Sequence, residues 1–249
     1  MPVLEVKGVS KSFDGEEIIR NISLELKEGE IVSLLGVSGG GKTTLFNIIA
    51  GLSTPDEGNI YLEGQEITGK PGNISYMLQK DLLLPYRTLV DNVALPLTIR
   101  GMKKSEAREK AAGYFEEFGL EGAEKKYPAE ISGGMKQRAA LLRTYLFSEK
   151  VALLDEPFSA LDALTRETMQ NIVLELCEQQ DLTLVLVTHN IEEAIFLGQK
   201  IAVFSDNSGR ISHIADNRHS GEVSYRGTEE FYQHCSLLRS WIGGGQHEA

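Results

Sequence analysis

Apolar positions along the chain follow two different periods. Residues 3–9 alternate between apolar and polar, residues 18–26 do so again, and Asp14-Gly15 between them supplies a turn. The alternation predicts an antiparallel opening layer with residues 3–9 as an edge strand. Later runs are apolar with little alternation, at residues 31–35, 151–154 and 182–187. Strands of that kind are buried on both faces, as in a parallel sheet. Shorter strand-like runs stand at residues 59–62 and 74–78. Helical spacing appears at residues 44–50, with Gly51 placed to cap, and from Thr88, whose Thr-Leu-Val-Asp reads as a capping box for a helix ended by Gly101. It recurs at residues 105–118, a charged amphipathic stretch stopped by Gly119, at 135–147, after Asn190, and at 229–241. A last hairpin is expected from residues 201–204 and 210–214 around Asp206-Asn207-Ser208-Gly209.

Strands alternating with helices make this an α/β chain. The texture turns helical from residue 80 and returns to strand near 150. The expected division is therefore a core of residues 1–79 and 150–215, a helical subdomain of 80–149, and a short polar tail of 216–249. At 249 residues and 41% hydrophobic content the chain is long enough for one sizeable core. Cys177 and Cys235 are distant and lack metal-ligand spacing, so they read as reduced thiols. The first residues lack the basic start and apolar core of a signal peptide, and no run approaches the roughly 18 apolar residues of a spanning helix. A formal net charge of −11 argues against nucleic acid as a partner.

The chemistry starts at Gly36-Val37-Ser38-Gly39-Gly40-Gly41-Lys42-Thr43, which fits G-x-x-x-x-G-K-[ST] between an apolar strand and a helix. Glycines without Cβ let successive backbone N–H groups turn toward phosphate oxygens, and the following helix N-terminus, at Thr43 and Thr44, adds partial positive charge. Lys42 supplies a mobile full charge, and the Thr43 hydroxyl suits Mg²⁺, which prefers oxygen ligands. Nucleotide binding follows, without yet separating a kinase, a GTPase or a transport ATPase. The apolar run 151–154 ends in Asp155 and Glu156, two acids at the strand edge where α/β ligands bind. Asp155 is placed to hold Mg²⁺ through water, and Glu156 to orient or deprotonate an attacking water. His189, at the end of the run 182–187, is either structural or a sensor of a γ-phosphate. Ser132-Gly133-Gly134 before a helix is either an ordinary cap or a second anion site. Phe13 either stacks on an adenine or fills core. The leucines at 82, 83, 84 and 89, with Val93, either pack the subdomain or form a docking groove beside Gln79.

In their order, the phosphate loop at residues 36–44, Gln79 after a strand, Ser132-Gly133-Gly134, Asp155-Glu156-Pro157, Ser159-Ala160-Leu161-Asp162 and His189 resemble the ATP-binding subunit of an ABC transporter. The resemblance covers residues 3 to about 215 and implies the P-loop cassette fold, with ATP and Mg²⁺ as ligands. It implies further that Phe13 stacks on adenine and that Gln79 touches Mg²⁺ and relays its state to the membrane partner. Ser132, Gly133 and Gly134 would bind the γ-phosphate held by a second copy, Glu156 would be the base, His189 the switch histidine, and Asp162 an aspartate near the dimer interface. Two positions depart from the pattern: Ile131 stands for the usual Leu and Met135 for the usual Gln, whose side-chain hydrogen bond Met cannot make. The Ser-Gly-Gly-Met and Asp-Glu-Pro-Phe-Ser-Ala-Leu-Asp stretches resemble importers of nitrate, sulfonate, taurine or thiamine precursors. The partners implied are a second copy, an integral membrane permease and an extracytoplasmic solute-binding protein, and the place implied is the cytoplasmic membrane face. A soluble ABC-type ATPase acting on ribosomes or DNA is the rival; it calls for a second cassette, a coiled-coil insertion or a basic surface, which this sequence lacks.

Overall fold

The structure is a computed structural model that describes residues 1–37, 39–147, 150–204 and 209–243. Ser38, residues 206–208 of the expected hairpin turn and the last residues of the chain lie outside the described set. The chain opens with β1 (Leu4–Phe13) and β2 (Glu16–Leu26), then β3 (Ile31–Leu35) and α1 (Lys42–Ile49). Next come β4 (Glu57–Leu62), β5 (Gln65–Glu66) and β6 (Ser75–Met77), followed by α2 (Leu89–Val93), α3 (Leu95–Ile99), α4 (Lys104–Ala112) and α5 (Gly133–Phe147). The chain continues through β7 (Val151–Asp155), α6 (Ala163–Gln180), β8 (Thr183–Thr188), α7 (Ile191–Leu197), β9 (Lys200–Phe204), β10 (Ile211–Asp216) and α8 (Glu229–Gly243).

Among the described residues two sheets form, an antiparallel one in the order β2-β1-β4-β5 and a second in the order β10-β9-β3-β8-β7-β6. The second is parallel from β9 to β6, and β10 closes it antiparallel. Every residue of β3, β7 and β8 is buried, as strands covered on both faces require. One apolar cluster joins a face of this sheet to α2, α4, α5 and α6. The other face packs on α1 and the antiparallel layer.

Three expectations need correction. The first strand is not an edge: β1 pairs with β2 on one side and β4 on the other, and alternation reports a half-buried face without saying which neighbours a strand has. The helix opened by Thr88 is two short helices, α2 and α3, because Pro96 in the first turn of α3 has no N–H to continue the ladder. The helix expected over 105–118 ends at Ala112. Beyond Gly113 the chain runs in i→i+3 turns, Tyr114 N–H to Ala111 O and Phe115 N–H to Ala112 O, which carry Phe115 and Phe118 into the core. The segment from 216 also packs down. Asn217 is buried with its Nδ2 donating to Ile195 O and Gly198 O, and α8 places Phe231, Cys235 and Leu238 against Ile195, Ile201 and Val203.

Candidate functional site

The parallel strands β3, β8, β7 and β6 are consecutive neighbours, so their carboxyl ends lie along one edge. Register aligns those ends: Leu35 sits beside Thr188, Asp155 beside Val187, and Met77 beside Leu154. Chain reversals at that edge deliver, in turn, the glycine loop and Lys42, His189, Glu156 and Gln79. A cleft there is lined by Ile18, Gly39, Lys42, Thr43, Gln79 and Glu156 among others.

The loop conformation depends on two glycines. Gly41 caps α1 at φ +96°, and a Cβ there would stand 2.7 Å from Ile19 Cγ2 and 2.8 Å from Ile18 O. A Cβ at Gly36 would stand 2.8 Å from Phe204 O, so β9 can approach only a glycine. Lys42 is 5% exposed, and its Nζ donates to Gly36 O at 3.0 Å and to Val37 O, folding the ammonium over the loop. Thr44 follows on the first turn of α1, half-buried.

Asp155 is 2% exposed and accepts from the Thr43 hydroxyl at 3.0 Å. Burial pushes its carboxyl above the ordinary carboxylate range, the Thr43 hydroxyl works against that, and the neighbouring Glu156 adds to it. Close by, the Tyr76 hydroxyl is buried, and among the described residues no hydrogen bond of regular geometry reaches it; burial and then Asp155 raise its pKa. A buried acid beside a hydroxyl oxygen, with an unsatisfied phenol next to it, is a donor set for a hard cation such as Mg²⁺.

Glu156 sits in the left-handed region at φ +50°. For a residue with a Cβ this costs about 1–3 kcal/mol, and the surroundings must hold it there. They do: its N–H donates to Val187 O at 3.0 Å, while its carbonyl accepts from Gln137 Nε2 and from the Ser159 hydroxyl, each at 3.1 Å. Gln137 Oε1 also accepts from Ala160 N–H at 2.8 Å. The carboxylate is thereby aimed between Gln79 Nε2 and His189 Nδ1, each 3.2 Å from one of its oxygens.

Other expected residues lie apart from this group. Phe13 is 48% exposed, with Lys11 Nζ 5.4 Å from its ring centroid, so it does not fill core. Ser132 accepts from Met135 N–H at 3.2 Å as a cap of α5, and neither it nor Gly133 or Gly134 lines the cleft. Ile131 and Met135 are half-buried against the helical core. Asp162 caps α6 through Thr165, whose backbone and hydroxyl donors hold its pKa below the ordinary value. Of the apolar stretch after Gln79, Leu83, Leu89 and Val93 are core, whereas Leu82 and Tyr86 are exposed.

Sequence reading missed Gln137 and Asn92. Gln137 fixes the Glu156 turn from α5, which shares an apolar cluster with Leu154 and Phe158 on either side of that turn. Asn92 is fully buried and binds the backbone at Leu84, Arg87 and Thr88. A polar residue within a helical run looks like solvated surface, and only the fold shows what it faces.

A P-loop, a buried strand-end acid and a neighbouring glutamate at one sheet edge define a nucleotide-hydrolysing cassette. Residues 19–159 match the family described as "ABC transporter". The chain is 47% identical to the formylaminopyrimidine import ATP-binding protein ThiZ of Halalkalibacterium halodurans, over 76% of this chain and 74% of that protein. It is 39% identical to the aliphatic sulfonates import ATP-binding protein SsuB of Bacillus cereus, over 86% of each, and 39% identical to the taurine import ATP-binding protein TauB of Escherichia coli O157:H7, over 84% of this chain and 82% of that one. Its fold matches a dimeric post-hydrolysis state of the ATP-binding cassette MJ0796 bound to ADP and Pi, with TM-score 0.79 and 32% identity over 86% of this chain and 99% of that one. The chain belongs to the ABC transporter family and is an ATPase of that family, with ATP and Mg²⁺ as ligands. Among the described residues no helix is long and apolar enough to cross a membrane.

Proposed function

We propose that this chain hydrolyses ATP in a site completed by a second copy of itself and drives import of a small solute through a separate membrane permease. The observation that carries this reading is the Glu156 carboxylate held between Gln79 and His189 beside the phosphate loop. The solute belongs with those in the relatives' names, an organosulfonate or a formylaminopyrimidine, and an extracytoplasmic binding protein would deliver it. The chain works at the cytoplasmic membrane face. Residues 1–79 and 150–215 form its nucleotide core, 80–149 its helical subdomain, and 216–249 a C-terminal segment.

Each residue then has a task. The exposed Phe13 ring stacks on adenine. Backbone N–H groups of residues 36–44 and the Lys42 ammonium hold the phosphates. Thr43, Asp155 and Gln79 would hold Mg²⁺, which would supply positive charge against that building on the phosphate oxygens. Glu156 orients the attacking water and accepts its proton, while His189 shares a hydrogen bond with that carboxylate and faces the γ-phosphate. Ser132, Gly133 and Gly134 do not line their own chain's cleft, which suits a turn that serves the ATP of a second copy, with Asp162 near the seam.

The test is Glu156→Gln, which keeps the shape and removes the base. Size-exclusion chromatography with ATP and Mg²⁺ is expected to show a stable dimer and turnover reduced by about a hundred-fold or more. A variant that stays monomeric, or that hydrolyses at the parent rate, refutes the assignment.

A further inference from the structure

We propose that Glu193 is a positioning residue for hydrolysis, holding the end of β8 and with it His189, and that the C-terminal segment braces it through Arg226. The proposal rests on the role given to His189 above. Glu193 stands on α7, four residues after His189, and is 6% exposed. Its Oε2 accepts from the Thr188 hydroxyl at 2.6 Å, and the same hydroxyl accepts from Asn190 N–H at 3.0 Å. Asn190 Oδ1 in turn accepts from the N–H groups of Glu192 and Glu193. Residues 188–193 are thus closed by side-chain bonds on both sides of His189, whose own ring is exposed and hydrogen-bonds to Glu156.

Burying an acid is costly, so Glu193 needs compensating partners. Burial pushes its carboxyl above the ordinary range, and the Thr188 hydroxyl and then Arg166 draw it back. Arg166 Nε lies 3.8 Å from Glu193 Oε1, and Arg166 Nη2 donates to Leu161 O at 2.9 Å, in the turn just before Asp162. Gln170 Nε2 approaches Glu193 Oε1 at 3.4 Å, while Gln170 Oε1 accepts from Arg226 Nη2 at 2.7 Å. Arg226 also reaches Glu167 at 3.3 Å and lies 3.8 Å over the Phe196 ring. A single buried acid therefore gathers the strand end that carries His189, the turn that carries Asp162, and a brace from the segment after β10. A capping role for α7 does not need it, since Asn190 already does that work.

The experiment compares steady-state ATPase kinetics of Glu193→Ala, Glu193→Gln, Arg226→Ala, His189→Ala and a control, Leu238→Ala, whose side chain packs in the same apolar cluster as Ala194 and Ile195 of α7 but takes no part in these bonds. Glu193→Ala is expected to lower kcat about ten-fold with KM for ATP within about two-fold, because the phosphate loop is untouched. Glu193→Gln keeps an acceptor for Thr188 and is expected to recover most of that loss. Arg226→Ala is expected to lower kcat about two- to three-fold alone and to add nothing in Glu193→Ala, as members of one network do. Leu238→Ala is expected to lower the melting temperature while kcat at 25 °C stays at the parent value. The proposal is overturned if Glu193→Ala keeps the parent kcat, if kcat and KM worsen together, or if Leu238→Ala loses kcat as Glu193→Ala does. An additive Arg226→Ala overturns the bracing. Parent-like kcat in His189→Ala would instead sink the role of His189. Should Glu193→Ala fail to fold, Thr188→Val removes the same hydrogen bond with little change of shape, and parent-like kcat there overturns the proposal equally.

Discussion

Asn92 offers the sharpest test of how the segment after Gln79 is held. Its carboxamide is fully buried; Oδ1 accepts from Leu84 N–H at 2.7 Å, and Nδ2 lies 3.1 Å from Leu84 O, Arg87 O and Thr88 O. Truncation to Ala does not orphan all of these. Leu84 O also accepts from Arg87 N–H, and Thr88 O from Asn92 N–H, so the losses fall on Leu84 N–H and Arg87 O. Both residues are half-buried, which places each orphan near the lower end of the usual range, for a total of about 2–4 kcal/mol. At about 2–4 °C per kcal/mol for a chain of this size, the melting temperature is expected to fall by roughly 4–16 °C in calorimetry without nucleotide. Asn92→Asp separates hydrogen bonding from volume. It keeps the acceptor for Leu84 N–H but sets a carboxylate against three carbonyls, so it is expected to do no better than Ala. A fall under about 2 °C for Ala, or parent-like stability for Asp, would mean that the segment is held by other contacts, such as Arg143 on the carbonyls of Asp81 and Leu82.

Lys42→Ala is expected to weaken ATP binding by at least about a hundred-fold in calorimetry, since one charge pair at about 4 Å is worth roughly 4 kcal/mol before desolvation; unchanged affinity removes Lys42 from the site. Gly134→Asp sets a carboxylate where a second copy's γ-phosphate is expected, so ATP-driven dimerisation should fail in size-exclusion chromatography while ATP affinity of the monomer stays within about two-fold. Loss of monomer binding in that variant would mean that the turn serves its own chain.

The site was legible to different depths. Gly36, Gly41, Lys42 and Thr43 are legible because a glycine loop turning into a helix N-terminus is a local backbone geometry, and local geometry is written in consecutive residues. Asp155 and Glu156 were legible from the apolar run that precedes them. The left-handed turn at Glu156 was not, because the bonds that hold it come from Gln137, Ser159 and Val187 on other elements. The same reason hides Asn92 and Arg226, polar residues whose partners are distant in sequence. In the fold, period-2 alternation found β1 but mistook it for an edge, and spacing carried one helix across Pro96 and another past Gly113, where packing of Phe115 and Phe118 outweighs continuity. Phe13 shows the reverse case: two readings stood level until exposure removed the core one.

The C-terminal helix adds a pH dependence that has nothing to do with phosphate. His234 is half-buried on α8, one residue before Cys235, which packs with Phe231 and Leu238 on the α7 face. Burial lowers its pKa below the ordinary 6.5, the nearby His219 lowers it further, and Glu230 opposes both. His219 is itself engaged, stacked on Tyr225 with ring centroids 3.9 Å apart and bonded to Glu222 at 2.8 Å. Because the folded pKa is depressed, the unfolded chain takes up its proton first as pH falls. His234 therefore leaves stability intact above its unfolded pKa, and stability is lost as pH drops through that value toward the folded one. Replacing it with Gln removes the titration. The melting temperature of the parent is expected to fall further between about pH 7.5 and pH 5.5 than that of His234→Gln, each measured without nucleotide. Equal falls would show that other groups carry the acid sensitivity. A steeper fall in the variant would mean that the protonated imidazole is stabilised by Glu230 in the folded state, reversing the sign of the argument.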